Sequence, residues 1–374
     1  MSEKEISRTK ITYIIPTLDS GGAERFFVDL IKNLDREKFE ASLILYKRAG
    51  LWLGELEREG IKCVVLEKKF LFDISNFIAI YKSIKEIGPD IVHTQLGADI
   101  YGVLAAKLAG IRSIVSTEVN TNINESYLYN CLKKFSLRFV DRVIAVSSAV
   151  LNDAKKRYKI NKKKLEVIYN GIEIERFSIK EKRNNFSDDN PIVFGTIGRL
   201  TEQKGHINLI KAFSMLSDKN AKLLIAGKGE LKDDLNQLII TLGLQKRVEL
   251  CGKVLAPKFL NEIDVFVLPS IWEGMGIVLV EAALTGLPII ASDVGGVSEV
   301  VSSEEAWLVE PGNIEDLRKT IDSLIINFET IETGLKIEKA NKRAREMFDI
   351  TIIADNYQKL YQKLIRSYEN TAGK

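Results

Sequence analysis

Short runs of aliphatic and β-branched residues alternate with amphipathic stretches along almost the whole chain. Before residue 172, such runs predict seven strands, over residues 10–18, 40–47, 62–67, 90–95, 113–119, 142–148 and 165–171. One intervening stretch, residues 23–34, places five apolar side chains on a single helical face. Strands that alternate with helices in this way predict a parallel, doubly wound α/β sheet with right-handed crossovers.

The alternation stops at residues 176–191, which are polar and lack periodicity, and then restarts. Six further runs predict strands over residues 191–200, 221–229, 247–253, 264–270, 287–293 and 306–311. A chain of 374 residues is also longer than one compact core usually spans. The pattern therefore predicts two Rossmann-like domains that face a cleft, residues 1–180 and 181–345, and a C-terminal helical segment, residues 346–374. Ligands of such sheets bind at the carboxyl ends of the strands.

Composition places few restrictions on function but indicates a compartment. The charged N-terminus precedes an apolar stretch that is much shorter than the roughly 20 residues of a membrane-spanning helix. Cys63, Cys131 and Cys251 lack the spacing of metal ligands or of a disulfide framework, which favours a reducing environment. We expect a soluble, cytoplasmic protein.

The net charge is only +3, but the charges are unevenly distributed. Lys and Arg are in excess over residues 1–180, mainly within residues 131–142 and 153–164. Runs of this kind are usually solvated helix faces, and they also suit an anionic membrane surface or a polyanionic acceptor. Phe135 and Phe139, which are interleaved with the cations, keep the membrane interpretation open.

The sequence lacks the motifs of several common nucleotide-binding and metal-binding sites. There is no G-x-x-x-x-G-K-S/T phosphate loop, and residues 227–232 begin like a G-x-G-x-x-G fingerprint without completing it. With only two histidines, His93 and His206, and no Asp-x-Asp pair, we expect no metal and no other cofactor. We expect no nucleic acid partner either.

Glycine turns follow the first strand of each predicted domain. In SGGAE (residues 20–24), Gly21 and Gly22 allow a ligand to approach the backbone, and the next helix offers free N–H groups to an anion. A simple strand-to-helix joint explains this turn equally well. In GRLTEQKGH (residues 198–206), Arg199 and Lys204 share one loop and can clamp a pyrophosphate, although solvated surface cations are the commoner explanation.

Two carboxylates interrupt the apolar segment 272–296. Glu273 and Glu281 lie eight positions apart, on either side of a Gly-Met-Gly turn. The β-branched residues at 277–280 favour a strand, whereas the Gly-Leu-Pro stop at 286–288 favours a short helix. On the helical interpretation, Glu273 precedes the helix and can accept hydrogen bonds from sugar hydroxyls, while Glu281 can accept from both hydroxyls of a ribose.

Four motifs, in the order in which they occur along the chain, resemble those of glycosyltransferase family 4. They are GGAE near the start, NGIEIERF over residues 170–177, GRLTEQKG over residues 198–205, and the E-x7-E pair of Glu273 and Glu281. The resemblance covers nearly the whole chain and implies a retaining glycosyltransferase of the two-domain GT-B fold. Residues 347–364 resemble the last helix of the family, which crosses back to the first domain.

The resemblance also implies a role for each motif residue. Glu281 would hold the ribose of the donor, and Glu273 would bind hydroxyls of the transferred sugar. The sugar and phosphates would face the backbone N–H groups of Gly274, Met275, Gly276 and Ile277. Arg199 and Lys204 would stabilise the charge that develops on the leaving diphosphate, and Gly21 and Gly22 would line the acceptor side.

The implied reaction transfers a sugar from a nucleoside-diphosphate sugar, UDP-sugar being the commonest donor in the family, to a hydroxyl of a glycan or lipid-linked acceptor. In the front-face mechanism of such enzymes the leaving phosphate oxygen takes the acceptor proton, so the reaction needs neither a metal nor a dedicated base. Envelope polysaccharide or glycolipid synthesis, with peripheral association at the inner face of the membrane, follows as an expectation.

One position departs from the family. Members commonly carry a histidine in the loop after the fifth strand, near C6 of the donor sugar, and Val119 aligns there. The alignment can be shifted so that Glu118 or Asn120 makes the contact, the donor can be a 6-deoxy sugar, or catalysis can be weakened. His93, in the preceding strand, is better explained as a satisfied strand-end residue.

Two other functions remain open at this point. A catalytically silent sugar-nucleotide-binding subunit would pair with an active transferase, and a sugar-nucleotide epimerase would share the fold but need further acid/base groups. Acceptors of the family lie against the first domain, whose loops at residues 67–77 and 119–130 mix aromatic with polar side chains. With the basic excess, these loops motivate docking on anionic lipid.

Overall fold

The computed structural model describes residues 8–19, 21–67, 73–121, 126–180, 186–187 and 190–372. The chain divides into two compact units. The first unit extends to Ile172 and resumes at Ile350, and the second unit comprises Glu173–Asp349. Parts of the predicted linker and of the two predicted acceptor loops lie outside the described residues, namely residues 181–185, 188–189, 68–72 and 122–125.

The first unit is built on a seven-stranded parallel sheet of order β3-β2-β1-β4-β5-β6-β7. Its strands are β1 (Thr9–Ile15), β2 (Phe39–Leu45), β3 (Lys62–Val65), β4 (Ile91–Gln95), β5 (Ser113–Glu118), β6 (Arg142–Ala145) and β7 (Leu165–Val167). Its helices are α1 (Gly22–Lys32), α2 (Leu53–Arg58), α3 (Ile74–Ile87), α4 (Tyr101–Ala109), α5 (Tyr127–Ser136), α6 (Ser148–Tyr158) and the C-terminal α14 (Ile350–Ala372). All seven predicted strands are confirmed.

Helices cover both faces of this sheet. One apolar core contains side chains of α1 and α14, and the other contains side chains of α3 and α4. The change of face occurs between β1, which is followed by α1, and its neighbour β4, which is followed by α4. The sheet is therefore doubly wound, with its switch point between β1 and β4.

The C-terminal helix α14 belongs to the first unit. Its Tyr357 and Tyr361 are fully buried in the core that α1 shares. The Ile350 N–H donates to the Ile172 carbonyl at 2.9 Å, so the helix begins against the end of the first unit. The predicted return of the C-terminal segment to the first domain is confirmed.

The second unit is built on a six-stranded parallel sheet of order β10-β9-β8-β11-β12-β13. Its strands are β8 (Val193–Ile197), β9 (Lys222–Ala226), β10 (Val248–Gly252), β11 (Val265–Leu268), β12 (Ile289–Ser292) and β13 (Trp307–Val309). Its helices are α7 (His206–Ser214), α8 (Lys232–Thr241), α9 (Ala256–Glu262), α10 (Ile277–Thr285), α11 (Val297–Val300), α12 (Ile314–Ile326) and α13 (Ile331–Phe348). All six predicted strands are present.

The division between the units differs by a few residues from the boundaries expected after residues 180 and 345. Residues 173–180 belong to the second unit because Lys180 anchors them there. Its N–H donates to the Thr285 carbonyl at 2.9 Å, and its Nζ lies 3.0 Å from Asp264 Oδ1. At the other end, α13 continues to the fully buried Phe348 before α14 begins at Ile350.

Candidate active site

Arg199 and Lys204 lie in the loop that joins β8 to α7. A short 3₁₀ turn over Glu202–Lys204 brings Lys204 back to the end of the strand. Arg199 is exposed, whereas most of the Lys204 side chain is covered. The loop thus holds one cation at the surface and one in a more enclosed position.

Glu273 lies in the loop that follows β11, the neighbour of β8 in the sheet. The Lys204 Nζ lies 2.5 Å from Glu273 Oε2, and the two side chains are only 14% and 10% exposed. The Ser270 hydroxyl donates to the same carboxylate oxygen at 3.1 Å. Because β8 and β11 are adjacent and parallel, their loops meet at the carboxyl edge of the sheet and place this ion pair there.

Gln203 joins the two loops and was not predicted from the sequence. Its buried side chain accepts a hydrogen bond from Arg199 Nη2 at 3.0 Å and donates to the Trp272 carbonyl at 3.1 Å. Its own carbonyl accepts from the Ile271 N–H at 2.8 Å. The only sequence signal is its position four residues after Arg199, which does not indicate a partner in another loop.

The turn after Glu273 leads into α10. Gly274, Met275 and Gly276 are buried, and Gly276 caps the helix in a left-handed conformation with φ of 78°. Ile277 is the first helical residue, so the short-helix interpretation of this segment is correct. The leading N–H groups of a helix have no partner within the helix and are suited to binding an anion.

Glu281 is partly buried in the second turn of α10, among residues that are otherwise apolar. Its placement within a helix agrees with the helical interpretation of this segment. The carboxylate and the Lys204–Glu273 pair belong to the same unit, on elements that follow adjacent strands.

The backbone of Gly295 lies very close to the backbone of Glu273. A Cβ at Gly295 would lie 1.9 Å from the Glu273 carbonyl oxygen, and φ at Gly295 is 59°. Both the contact and the backbone conformation exclude other residues here. No pattern in the sequence identifies this long-range approach.

Gly21 and Gly22 belong to the first unit and lie at the start of α1. Gly21 is the extended N-cap residue, and a Cβ there would lie 2.0 Å from Glu24 Oε2. The Glu24 carboxylate is therefore folded over the first turn, where it complements the positive end of the helix dipole. The absence of a side chain at Gly21 leaves room for this carboxylate.

Both histidines are buried, but they differ in their hydrogen bonding. His93 is satisfied, since its Nδ1 lies 2.8 Å from Tyr361 Oη and its Nε2 lies 2.7 Å from Thr117 Oγ1. The strand-end interpretation of His93 is confirmed. His206, next to Gly205 after Lys204, is 1% exposed, and neither ring nitrogen has a hydrogen-bond partner among the described residues. Burial, together with the charge of Lys204, lowers the pKa of His206 to about 4.

One lysine of the basic run 131–142 is buried, contrary to a solvated or membrane-facing role. Lys133 Nζ lies 2.8 Å from Glu118 Oε2 and 3.4 Å from Asp99 Oδ2. Burial alone would lower the pKa of Lys133, but Glu118 and Asp99 raise it well above its usual value. Glu118 ends β5 directly before Val119, so the carboxylate considered as a sugar contact already pairs with a lysine.

The described residues contain neither a membrane-spanning helix nor a cluster of metal-ligating side chains. No helix among them combines the length and apolar content needed to cross a bilayer. Within the same residues, no group of three or more His, Cys, Asp or Glu side chains is arranged to hold a metal ion.

Two family models match the chain one after the other. The model described as Glycosyltransferase Family 4 matches residues 20–176, and the model described as Glycosyl transferases group 1 matches residues 177–345. The chain belongs to glycosyltransferase family 4. The first match begins in the β1–α1 loop and includes Gly21 and Gly22, and the second contains all the candidate residues of the second unit.

Curated relatives of this family 4 glycosyltransferase match over most of their length. One is the UDP-Gal:alpha-D-GlcNAc-diphosphoundecaprenol alpha-1,3-galactosyltransferase of Escherichia coli, 29% identical over 91% of this chain and 97% of its own. Another is the N-acetylgalactosamine-N,N'-diacetylbacillosaminyl-diphospho-undecaprenol 4-alpha-N-acetylgalactosaminyltransferase of Campylobacter jejuni, 27% identical over 92% and 98%. Both names specify an α linkage and an undecaprenol-linked acceptor.

Solved structures share the fold of this glycosyltransferase. Anabaena HepE in complex with UDP-glucose superposes with a TM-score of 0.83, at 24% identity over 95% of this chain and 100% of its own. Sucrose-phosphate synthase from Thermosynechococcus elongatus gives a TM-score of 0.79, at 17% identity over 96% and 100%. The expected GT-B fold, with two Rossmann-like units and a C-terminal helix, is confirmed.

Proposed function

We propose that this glycosyltransferase transfers a sugar from a UDP-sugar to a hydroxyl of a lipid-linked glycan, with retention at the anomeric carbon. The observation that carries the proposal is the Lys204–Glu273 pair, whose charged atoms lie 2.5 Å apart where the loops of β8 and β11 meet. Helices change face between these two strands, since α7 packs in the core shared with α12 and no residue of α10 belongs to that core. The switch point of a doubly wound sheet is its usual nucleotide site.

Each residue takes a part in donor binding. Glu281 binds the ribose, and Glu273 accepts hydrogen bonds from hydroxyls of the transferred sugar. The N–H groups from Gly274 to Ile277, among them those of Met275 and Gly276, face the phosphates. These groups act on the substrate before and during transfer, and Gly21 and Gly22 contribute from the first unit on the acceptor side.

Arg199 and Lys204 supply positive charge to the leaving UDP. The carbon–oxygen bond between the anomeric carbon and the diphosphate breaks while the acceptor oxygen bonds to the same face of that carbon. The leaving phosphate oxygen takes the proton of the acceptor hydroxyl, so the atoms balance without a protein base. These two cations neutralise the charge on the leaving diphosphate, and the proposed reaction requires no metal. Charge-assisted hydrogen bonds contribute about 1.5–3 kcal/mol each.

The pairing of Lys204 with Glu273 prepares both groups for this reaction. A lysine that is mostly covered costs less free energy when a carboxylate lies beside it. The pair holds the ammonium group at the end of β8, and Ser270 and Gln203 fix its surroundings. Groups that are already in place need no reorganisation when charge develops on the diphosphate.

The relatives support the choice of substrates. HepE was solved with UDP-glucose, and the E. coli relative is named for UDP-galactose. The E. coli and C. jejuni relatives are both named for undecaprenol-linked acceptors. A UDP-sugar donor and a lipid-linked acceptor in envelope polysaccharide or glycolipid assembly are therefore proposed for this chain.

A lipid-linked acceptor requires access to a membrane surface, and the first unit offers a suitable face. On α5, Tyr127, Leu128 and Phe135 are 86%, 57% and 47% exposed. Arg138, just beyond α5, and Lys155 on α6 are exposed cations of the same unit. Exposed aromatic and apolar side chains in the same unit as exposed cations suit peripheral docking on anionic lipid, and Lys133 is excluded from this role by its burial.

Release of UDP tests the donor assignment. We expect slow hydrolysis of one donor from a panel of UDP-sugars, with and without a 6-hydroxyl, and a loss of about 100-fold in Arg199→Ala and Glu281→Ala. The matched control is Glu332→Ala, which removes an exposed carboxylate at the start of α13. Thermal stabilisation by a donor that stays intact would favour the silent subunit instead.

Sedimentation with vesicles tests the docking face. Wild type is expected to sediment with vesicles that contain phosphatidylglycerol and not with neutral vesicles. A double variant, Leu128→Ser and Phe135→Ser, should sediment less, whereas Leu255→Ser, which changes a leucine of the second unit that is 72% exposed, should not. Equal, negligible sedimentation of wild type with both vesicles would contradict the docking proposal.

A further inference from the structure

A buried polar side chain at the end of β4 has unmet hydrogen-bonding groups. Gln95, the last residue of the strand, is 0% exposed, and neither Oε1 nor Nε2 has a hydrogen-bond partner among the residues that the structure describes. A primary amide has two donor hydrogens and an acceptor oxygen, and burial without partners costs free energy. An unmet amide in a native fold therefore calls for an explanation.

The backbone directly after Gln95 is also unfavourable. Leu96 has a φ of 56°, and only one other described non-glycine residue, Lys159, has a positive φ. Gly97 follows with a φ of 85°. A left-handed conformation is disfavoured for a residue with a Cβ, and such conformations occur preferentially at functional sites. Gln95, through its unmet amide, and Leu96, through its backbone conformation, thus both cost free energy at the end of β4.

Gln95 lies beside the switch point of the sheet in the first unit. The register of β1 with β4 places Ile14 opposite Thr94, one residue before Gln95. The loop with Gly21 leaves the carboxyl end of β1 at this same edge. Ligands of doubly wound sheets bind outside the strand ends at the switch point.

The protein groups nearest in register do not satisfy Gln95. Side chains alternate along a strand, so Gln95 shares a face with His93. Thr117 lies opposite Gln95 on β5, but its hydroxyl bonds to His93 Nε2 at 2.7 Å. His93 Nδ1 in turn bonds to Tyr361 at 2.8 Å. His93, Thr117 and Tyr361 are thus paired among themselves, and the Gln95 amide has no partner among the described residues.

We propose that Gln95 binds the acceptor saccharide, with its amide donating to and accepting from sugar hydroxyls at the ends of β1 and β4. This inference rests on the proposed function, because it assigns the acceptor of a glycosyltransferase to the first unit. A sugar hydroxyl both donates and accepts, which matches a primary amide. Since Gln95 has no exposed surface in this structure, the side chains that cover it must shift when the acceptor binds.

The variant Gln95→Met keeps the length of the side chain and removes its polar groups. The probe is a synthetic N-acetylglucosaminyl diphosphate lipid, used with the UDP-sugar that the wild type hydrolyses. The KM for this acceptor should rise by about tenfold, as expected for a lost hydrogen-bonding partner, while the rate and KM of donor hydrolysis stay unchanged. The melting temperature of Gln95→Met should rise, because the unmet amide has been removed.

Thr12→Val is the matched control. It also replaces a buried polar group of the same sheet, but the Thr12 hydroxyl is paired with Ser42 Oγ at 2.8 Å. Its melting temperature should fall, and its acceptor KM should stay at the wild-type value. The opposite signs of the two stability changes separate an unmet group from a satisfied one.

Three results would overturn the inference. The first is an acceptor KM in Gln95→Met that equals the wild-type value, and the second is a rise in the donor KM of this variant without a rise in its acceptor KM. The third is a lower melting temperature of Gln95→Met, which would show that the amide is satisfied in the wild type. The melting temperature tests whether the Gln95 amide is unmet, and this measurement needs no acceptor. Failure of the proposed function is distinguishable, because the wild type itself would then release no UDP from any donor.

Discussion

Lys204 and Glu273 come from loops whose residues are 69 positions apart in sequence, and their charged atoms lie 2.5 Å apart. The contribution of this ion pair to the stability of the fold depends on both partners being present. Removing one partner leaves the other charge mostly covered and uncompensated, which is the costly outcome for a buried pair. The position of each charge is therefore set by the other, by Ser270 and by the loop that Gln203 holds.

Lys204→Met is expected to lower kcat for donor hydrolysis by about 100-fold, because the cation proposed to stabilise the leaving diphosphate is lost. Lys204→Arg keeps the charge and should retain more activity than Lys204→Met. Steady-state UDP release measures both variants. Equal losses in the two variants would mean that the charge of Lys204 is not what the reaction requires.

Gly295→Ala tests the position of the Glu273 backbone. The added Cβ would lie 1.9 Å from the Glu273 carbonyl oxygen at a φ of 59°. We expect destabilisation by more than about 1 kcal/mol and a lower kcat. Gly54→Ala is the control, since nothing lies within 4 Å of its added Cβ in α2, and it should change neither property adversely. Chemical denaturation and UDP release measure these effects, and a fully active Gly295→Ala would refute the positioning role.

Residue types and their places after strands were enough to single out Arg199, Lys204, Glu273 and Glu281 as candidate site residues. Ser270 was missed because its hydrogen bond to Glu273 depends on the conformation of the loop that both residues share. Gln203 and Gly295 were missed because each contacts another loop. The burial of Lys133 was missed for the same reason, since Glu118 and Asp99 reach it from other elements. A basic run in a sequence does not show which of its cations faces inward.

At the scale of elements, the strands were predictable because each buried parallel strand reads as a short run of β-branched and aliphatic residues. The segment 277–285 was ambiguous, since Ile277, Val278 and Val280 have strand propensity and yet form α10. Tertiary packing decides there, because the helix is buried almost all round. The Gly-Leu-Pro stop was the more reliable signal.

The docking of α14 on the first unit gives a prediction for an element. Tyr361→Phe removes the hydroxyl that lies 2.8 Å from His93 Nδ1 and 3.1 Å from Tyr13 Oη. Loss of these buried hydrogen bonds should destabilise the protein by about 1–3 kcal/mol. The control Tyr127→Phe changes a tyrosine that is 86% exposed and should have little effect. Thermal unfolding compares the two, and an equal stability of wild type and Tyr361→Phe would contradict this account of α14.

The whole molecule carries one buried histidine in each unit, and both affect its pH dependence. Burial lowers the pKa of His93 from 6.5 to about 3, and burial with the charge of Lys204 lowers that of His206 to about 4. In the unfolded chain both take up protons near pH 6.5, whereas the folded chain does not until the pH is much lower. Stability is therefore full above pH 6.5 and is lost as the pH falls toward the folded pKa values.

Between pH 7 and pH 5 the free energy of unfolding should fall, by up to about 1.4 kcal/mol per pH unit for each histidine. Replacement of His206 by Gln should reduce this slope. Denaturant titrations at several pH values measure it. A free energy that is constant over this range would mean that the histidines are protonated alike in the folded and unfolded states.

We propose retaining sugar transfer at the switch point of the second unit, and the anomeric configuration of the product is the decisive test. The donor is the UDP-sugar that the wild type cleaves, and proton NMR records the first-formed product before mutarotation. We predict that the sugar released or transferred from an α-linked donor is the α anomer, and that Lys204→Met forms it more slowly. A first-formed β anomer would contradict the proposed mechanism, because it requires attack from the opposite face of the anomeric carbon.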